Sequence, residues 1–134
     1  MIDVLLIHSP LVGPLTLARL GAELNDRGFD VVVPDLRPAL VMPRPQWRAI
    51  VDLAAAAVDT ADVIVVHYGA GVLAPLLAEQ LDPNIVAFVD ALVPGTGTSH
   101  EPSRAFIDFI DALPRTARCF HRGLSGGAAR RSPN

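Results

Sequence analysis

The 134-residue sequence contains one cysteine, Cys119, and no lysine. A single cysteine excludes an internal disulfide and a cysteine-based metal cluster, and it fits a reducing, cytoplasmic compartment. No apolar run approaches the ~20 residues that a membrane-spanning helix needs, and the first residues lack the basic start of a signal peptide. The four histidines lack the HxH and HExxH spacings typical of metal sites. We therefore expect no metal, no cofactor and no membrane partner.

Charge is scarce overall and unevenly distributed along the chain. Charged residues make up 19% of the sequence and apolar residues 51%, a balance typical of one folded domain of this length. Residues 1–111 contain 14 acidic and 6 basic residues, whereas residues 112–134 contain 5 arginines and no acid. The arginines near the end are not interleaved with aromatic residues, so a nucleic-acid partner is not expected. We interpret residues 1–112 as one domain and residues 113–134 as a basic flexible tail.

Short apolar runs alternate with segments of helical spacing throughout the first 112 residues. The predicted strands are residues 4–7, 31–33, 63–66 and 85–89. The predicted helices are residues 15–27, 47–58, 72–81 and 103–112, and residues 38–45 are predicted to form a proline-rich loop. This alternation predicts an α/β fold with a mostly parallel four-stranded sheet, strand order 2-1-3-4, and helices on both faces.

Ligands of such sheets bind at the carboxyl ends of the strands, beside the point where the strand order reverses. Here that point lies between the first and third predicted strands. The candidate residues for binding a small molecule are those that directly follow these two strands: His8, Ser9, Leu11, His67, Tyr68 and Gly69. Within this set, His8 is expected to brace its own turn by hydrogen bonding.

Four segments resemble the α/β-hydrolase family, in the family's order. VLLIHSP resembles a strand and the turn that contributes to the oxyanion hole, and GFDVVVPDL resembles the next strand, which ends in Pro-Asp. VIVVHYGAG resembles the nucleophile elbow, and NIVAFVDALVP resembles the strand that follows it. The resemblance covers about residues 2–95 and implies the fold of the family's first half, with oxyanion-hole donors near Leu11 and at the Gly69 amide.

The resemblance departs from the family's catalytic pattern at the elbow. The family motif is G-x-S-x-G, and here Tyr68 occupies the serine position while Val66 and Ala70 replace the two glycines. The family's later acid and histidine have no counterpart before the basic tail. The resemblance therefore implies a truncated or degenerate member, a pseudoenzyme without a competent catalytic triad.

Two other functional interpretations remain open. Ser9, His67 and Asp90 all follow predicted strands, and such a set would make a weak esterase acting on small acyl substrates if its geometry were right. Alternatively, Gly69, Gly71 and Ala74 match G-x-G-x-x-A between a strand and a helix, with Asp90 at the end of the next strand. That layout is typical of a nucleotide-binding Rossmann-like module.

The fourth predicted strand has no fifth strand to pair with its outer edge. Ile85, Val86 and Val89 would then lie on an unpaired edge, which favours association between copies of the chain. The sequence thus predicts a homodimer formed through the exposed edge of the sheet.

Overall fold

A computed structural model describes residues 1–43 and 45–93 of the chain. Its four strands are β1 (Asp3–Ile7), β2 (Asp30–Val32), β3 (Val63–Tyr68) and β4 (Ile85–Ala91). All strand pairs are parallel, and the order across the sheet is β2-β1-β3-β4. The predicted α/β fold and strand order are therefore confirmed. The predicted helix at residues 103–112, the predicted tail, His100, Cys119 and His121 lie outside the described residues.

Within the described residues, the α-helices are α1 (Ala18–Asp26), α2 (Gln46–Ala55) and α3 (Ala74–Leu81). The first and third predicted helices begin at residues 15 and 72, earlier than α1 and α3. Each of these helices is preceded by a 3-10 turn, Pro14–Leu17 and Gly69–Leu73 respectively. Proline provides the reason at the start of α3, since Pro75 can occupy only the first positions of a helix. Pro14 takes the same position at the start of the 3-10 turn before α1. At the other end of α1, Gly28 has the positive φ of +90° that suits a residue just beyond a helix.

The loop predicted at residues 38–45 is partly wrong, because Arg37–Val41 forms a further 3-10 turn. Pro38 lies in the first positions of this turn, where its missing N–H leaves no hydrogen bond unmade. Ala39 and Leu40 are buried within it and anchor the segment against the core. The apolar side chains in the predicted loop therefore bring it onto the sheet rather than into solvent.

The sheet separates two apolar layers, as the alternation of side chains along its strands requires. Val4 and Leu6 pack with Val65 and α1 on one face. Leu5 and Ile7 pack on the opposite face, against α2 and α3. Each fully buried aliphatic side chain contributes about 1.5–3 kcal/mol, so the central strands supply much of the driving force for folding. Among the described residues, no helix is long and apolar enough to cross a membrane.

Candidate functional site

The candidate site lies at the carboxyl edge of the sheet, where β1 and β3 end side by side. Ile7 pairs with Val66 at the end of the β1–β3 ladder, so His8 and His67 follow at neighbouring positions. From β1 the chain crosses to β2 on one side, and from β3 it crosses to β4 on the other side. This is the switch point at which open α/β sheets bind ligands.

Tyr68 occupies a strained strand-to-helix turn. Its backbone has φ 48° and ψ −121°, and the Gly69–Leu73 3-10 turn begins at the next residue. A bulky residue with positive φ is unusual, and such conformations cost about 1–3 kcal/mol unless the surrounding structure holds them in place. The side chain is 50% exposed, so the phenol ring stands at the surface of the carboxyl edge.

The segment after β4 crosses over this turn and fixes it. The Leu92 N–H donates to the Tyr68 carbonyl oxygen at 3.0 Å. A Cβ atom built on Gly71 would lie 1.8 Å from the Leu92 carbonyl oxygen, so only glycine permits the approach. Asp90 makes the crossing possible: it has φ 44° and is the extra residue of a β-bulge between β3 and β4. Sequence reasoning missed this contact, although a glycine such as Gly71 at a turn is typical of a close approach between two backbone segments.

His8 is fully buried and braces the turn after β1. Its Nε2 accepts a hydrogen bond from the Leu36 N–H at 2.9 Å, so in this arrangement the ring proton is on Nδ1. Nδ1 lies 2.7 Å from the Ser9 carbonyl oxygen, to which it donates. With both ring nitrogens engaged, His8 ties the end of β1 to the segment after β2 and is not placed to accept a proton from a substrate.

Ser9 is also fully buried and shapes the same turn. Its carbonyl oxygen accepts from the N–H groups of Val12 and Gly13 at 3.1 and 3.3 Å. Its Oγ accepts from the Leu11 N–H at 3.3 Å, so the amide expected as an oxyanion donor points toward the serine side chain. The hydroxyl therefore serves the backbone of its own turn.

The structure does not join the candidate set of Ser9, His67 and Asp90 by hydrogen bonds. Within residues 1–43 and 45–93, the buried Nδ1 of His67 has no hydrogen-bond partner. Asp90 is exposed at the bulge, while Ser9 is bonded within its own turn. Of the six predicted binding residues, Leu11, His67 and Tyr68 reach solvent, whereas His8, Ser9 and Gly69 are buried.

An ion pair that sequence reasoning overlooked lies at the same edge, just after β2. The Arg37 guanidinium donates to both carboxylate oxygens of Asp35, at 2.8 and 2.6 Å. This hydrogen bonding from Arg37 lowers the pKa of the Asp35 carboxyl below its ordinary value. Arg37 also passes close to the turn after β1, since its Cδ would lie 3.5 Å from a Cβ on Gly13.

Because the pKa of Asp35 is lower in the folded chain, this pair stabilises the fold above about pH 4 and the contribution fades as the pH falls further. The Asp35 and Arg37 side chains are 41% and 29% exposed, so solvent screens the pair. We expect Asp35→Asn to lower the free energy of unfolding by about 0.5 kcal/mol at neutral pH and by less at pH 3, where the contribution of the pair has begun to fade. Urea unfolding at both pH values measures this, with Glu23→Gln in the more exposed Glu23–Arg27 pair as the control. An unchanged deficit at low pH would contradict it.

Two cavities lie away from the carboxyl edge. One, of about 240 Å³, is lined at the amino ends of the strands by residues that include Asp3, Asp30 and Asp59. The other, of about 330 Å³, lies between α2 and α3, where Arg48 stacks over Trp47. Neither cavity includes a predicted binding residue, and no cluster of metal-ligating side chains occurs in the part of the chain that the structure describes.

Comparison of the chain with protein-family models, with curated proteins and with solved structures finds no match.

Proposed function

We propose that this chain is an α/β-hydrolase-like protein without a competent catalytic triad, which binds a small molecule at the carboxyl ends of β1 and β3. The observation that carries the proposal is Tyr68, whose half-exposed phenol stands on a strained turn between a strand and a helical segment. A hydrolase places its nucleophile on such a turn. A phenol hydroxyl is a poor nucleophile unless a neighbouring group activates it. The position therefore suits contact with a ligand better than attack on one.

The arrangement of the two histidines of the edge also favours binding over hydrolysis. Acyl transfer needs a base within hydrogen-bond reach of the nucleophile. The His8 nitrogens are bonded to Leu36 and Ser9, and the ring centroid of His67 is 6.4 Å from that of Tyr68. No ionic or hydrogen-bonding partner of Tyr68 that would act as a base occurs among the described residues.

The two alternative functions are less well supported. A weak esterase built on Ser9 would need its buried hydroxyl to leave the Leu11 amide and reach a substrate. A nucleotide site at Gly71 would need phosphate to approach a backbone against which the Leu92 carbonyl already packs. Thermal stabilisation by a dinucleotide such as NAD would nevertheless favour the second alternative over our proposal.

The ester test follows directly from the proposed lack of a triad. We expect no hydrolysis of p-nitrophenyl acetate above a buffer control, and no activity after Tyr68→Ser, because a lone serine at this position would still lack a base. Turnover by the unmodified chain that is abolished by Ser9→Ala or His67→Ala, with the fold intact, would overturn the proposal. Ser9, His67 and Asp90 would then become the active site.

Binding is tested with an uncleaved ester as the probe. Titration with phenyl acetate should shift the amide resonances of Leu11, His67 and Gly69 in a saturable way, and Tyr68→Ala should weaken the binding. Ile2→Ala is the matched control, since Ile2 is 48% exposed and precedes β1 at the opposite edge of the sheet. Shifts that do not saturate, or equal loss of binding in both variants, would argue against the site.

We further propose that the protein is cytoplasmic and forms a homodimer through the exposed sheet edge. The lone cysteine is the support for the compartment. The support for the dimer is a group of apolar side chains on and just after β4 that are 38–70% exposed: Ile85, Phe88, Val89, Leu92 and Val93.

A further inference from the structure

In the part of the chain that the structure describes, the outer edge of β4 is a long strand edge without the usual protection against pairing. Among the described residues, β4 pairs only with β3, whereas the other edge strand, β2, has just three residues. From Ile85 to Val89 the strand has no charged residue and no proline, and the bulge comes only at Asp90. Natural edges are normally shortened, charged or kinked to prevent association.

The backbone register of β4 determines which of its groups face outward. The Ile85 N–H donates to the Asp62 carbonyl oxygen at 3.1 Å, so Ile85 directs its backbone groups toward β3. Because this direction alternates along a parallel strand, Ala87 and Val89 also bond inward. Val86 and Phe88 then present their N–H and C=O groups at the open edge.

The side chains of β4 alternate in step with the backbone groups. Ile85, Ala87 and Val89 lie on the face that α1 covers only in part, and Ile85 and Val89 are 57% and 43% exposed. Phe88 lies on the opposite face and is 38% exposed. The edge therefore offers both unpaired backbone groups and apolar side chains.

We infer that a second copy of this chain pairs with the edge through an antiparallel β4–β4 ladder whose two-fold axis passes between the two Ala87 residues. In this register Val86 of one copy lies opposite Phe88 of the other, and these are the residues whose backbone groups face outward. Ile85 lies opposite Val89 on the α1 side, so every facing pair is apolar. The small Ala87 side chains meet at the axis, where the strands approach most closely.

The alternative occupant of the edge is the segment of the same chain that follows β4, residues 94–134. The sequence of this segment does not favour its pairing with β4. The described chain leaves β4 at its carboxyl end, and residues 94–134 follow. Those residues comprise a Gly/Pro/Thr stretch, a run with helical spacing and an arginine-rich end, with no strand-like pattern. A second copy supplies the complementary strand that this segment lacks, and two identical edges satisfy each other about a two-fold axis.

Disulfide crosslinking tests both the occupant and the register. The full chain carrying Cys119→Ser and Ala87→Cys should form a disulfide-linked dimer under mild oxidation. Opposed residues of this type have Cα atoms about 4.5 Å apart, within the range a disulfide spans. Val89→Cys in the same background is the matched control, because the two Val89 positions would lie roughly 13 Å apart. We expect crosslinking of the first variant only.

Sedimentation at tens of micromolar gives an independent measure with Val86→Pro, which removes an outward N–H without disturbing the β3 ladder. Its dimer dissociation constant should rise about tenfold or more, whereas Val86→Ala, which keeps the N–H, should have a smaller effect. The β4–β4 interface rests on the proposed homodimer, and the outcomes distinguish a failure of the interface from a failure of the homodimer. A dimer that Ala87→Cys does not link overturns this interface alone. A purely monomeric chain overturns the homodimer as well and favours coverage by residues 94–134.

Discussion

Gly71→Ala is expected to destabilise the protein by about 3 kcal/mol or more, which is a large share of the about 5–15 kcal/mol that stabilises a typical domain. The added methyl group would lie 1.8 Å from the Leu92 carbonyl oxygen and 2.8 Å from its carbonyl carbon. Both atoms belong to the backbone, so no rotamer change relieves the overlap. Urea unfolding followed by far-UV circular dichroism measures the loss as a lower midpoint.

Gly21→Ala is the matched control for this change. Gly21 lies within α1, and its added Cβ would come no closer than 3.4 Å to a side-chain atom of Val33, an ordinary contact. Alanine is also favoured over glycine inside a helix by about 0.5–1 kcal/mol. This variant should match or exceed the stability of the unmodified chain. If Gly71→Ala were equally stable, Leu92 would not pack against the turn at Tyr68.

Gly71→Ala also tests what holds the turn at Tyr68 in place. Displacing Leu92 breaks its hydrogen bond to the Tyr68 carbonyl and releases the constraint on a backbone with φ 48°. The strained conformation at Tyr68 then loses its support. In a folded preparation of Gly71→Ala at low temperature, we expect binding of phenyl acetate to weaken, although no residue exposed at the site has been changed.

His8→Ala is expected to cost about 3–4 kcal/mol. The substitution leaves a cavity at a fully buried position and removes the acceptor of the buried Leu36 N–H, and these two effects add. It also removes the donor to the Ser9 carbonyl oxygen. Chemical denaturation at neutral pH gives the value, and thermal unfolding should show the same order of stabilities.

His8→Phe separates the two contributions to this loss. Phenylalanine fills the position with a somewhat larger ring but cannot accept from Leu36, so we expect a loss of about 2 kcal/mol or more, chiefly from the unpaired N–H. If His8→Phe were as stable as the unmodified chain, the hydrogen bonds of His8 would contribute nothing to the free energy of unfolding. His8 would then act only by filling space.

The sheet of this protein was predictable because its signal is local. Strands buried on both faces need unbroken apolar runs, and the residues from Val4 to Ile7 and from Val63 to Val66 provide them. Turn residues separate these runs from helices, and the right-handed crossover rule then leaves few possible strand orders. The sequence also placed His8, His67 and Tyr68 at one edge, because parallel strands end together.

The state of each side chain at that edge was decided only by the tertiary structure. Ser9 and His8 are buried because the turn after β1 packs against the segment after β2, 28 residues away from His8 at Leu36. The bulge at Asp90 and the contact between Leu92 and Gly71 join residues that are distant along the chain. No pattern of hydropathy encodes such contacts, since they depend on where two backbones cross. Apolar periodicity therefore determined the sheet, whereas backbone packing determined which polar groups are left to meet a ligand.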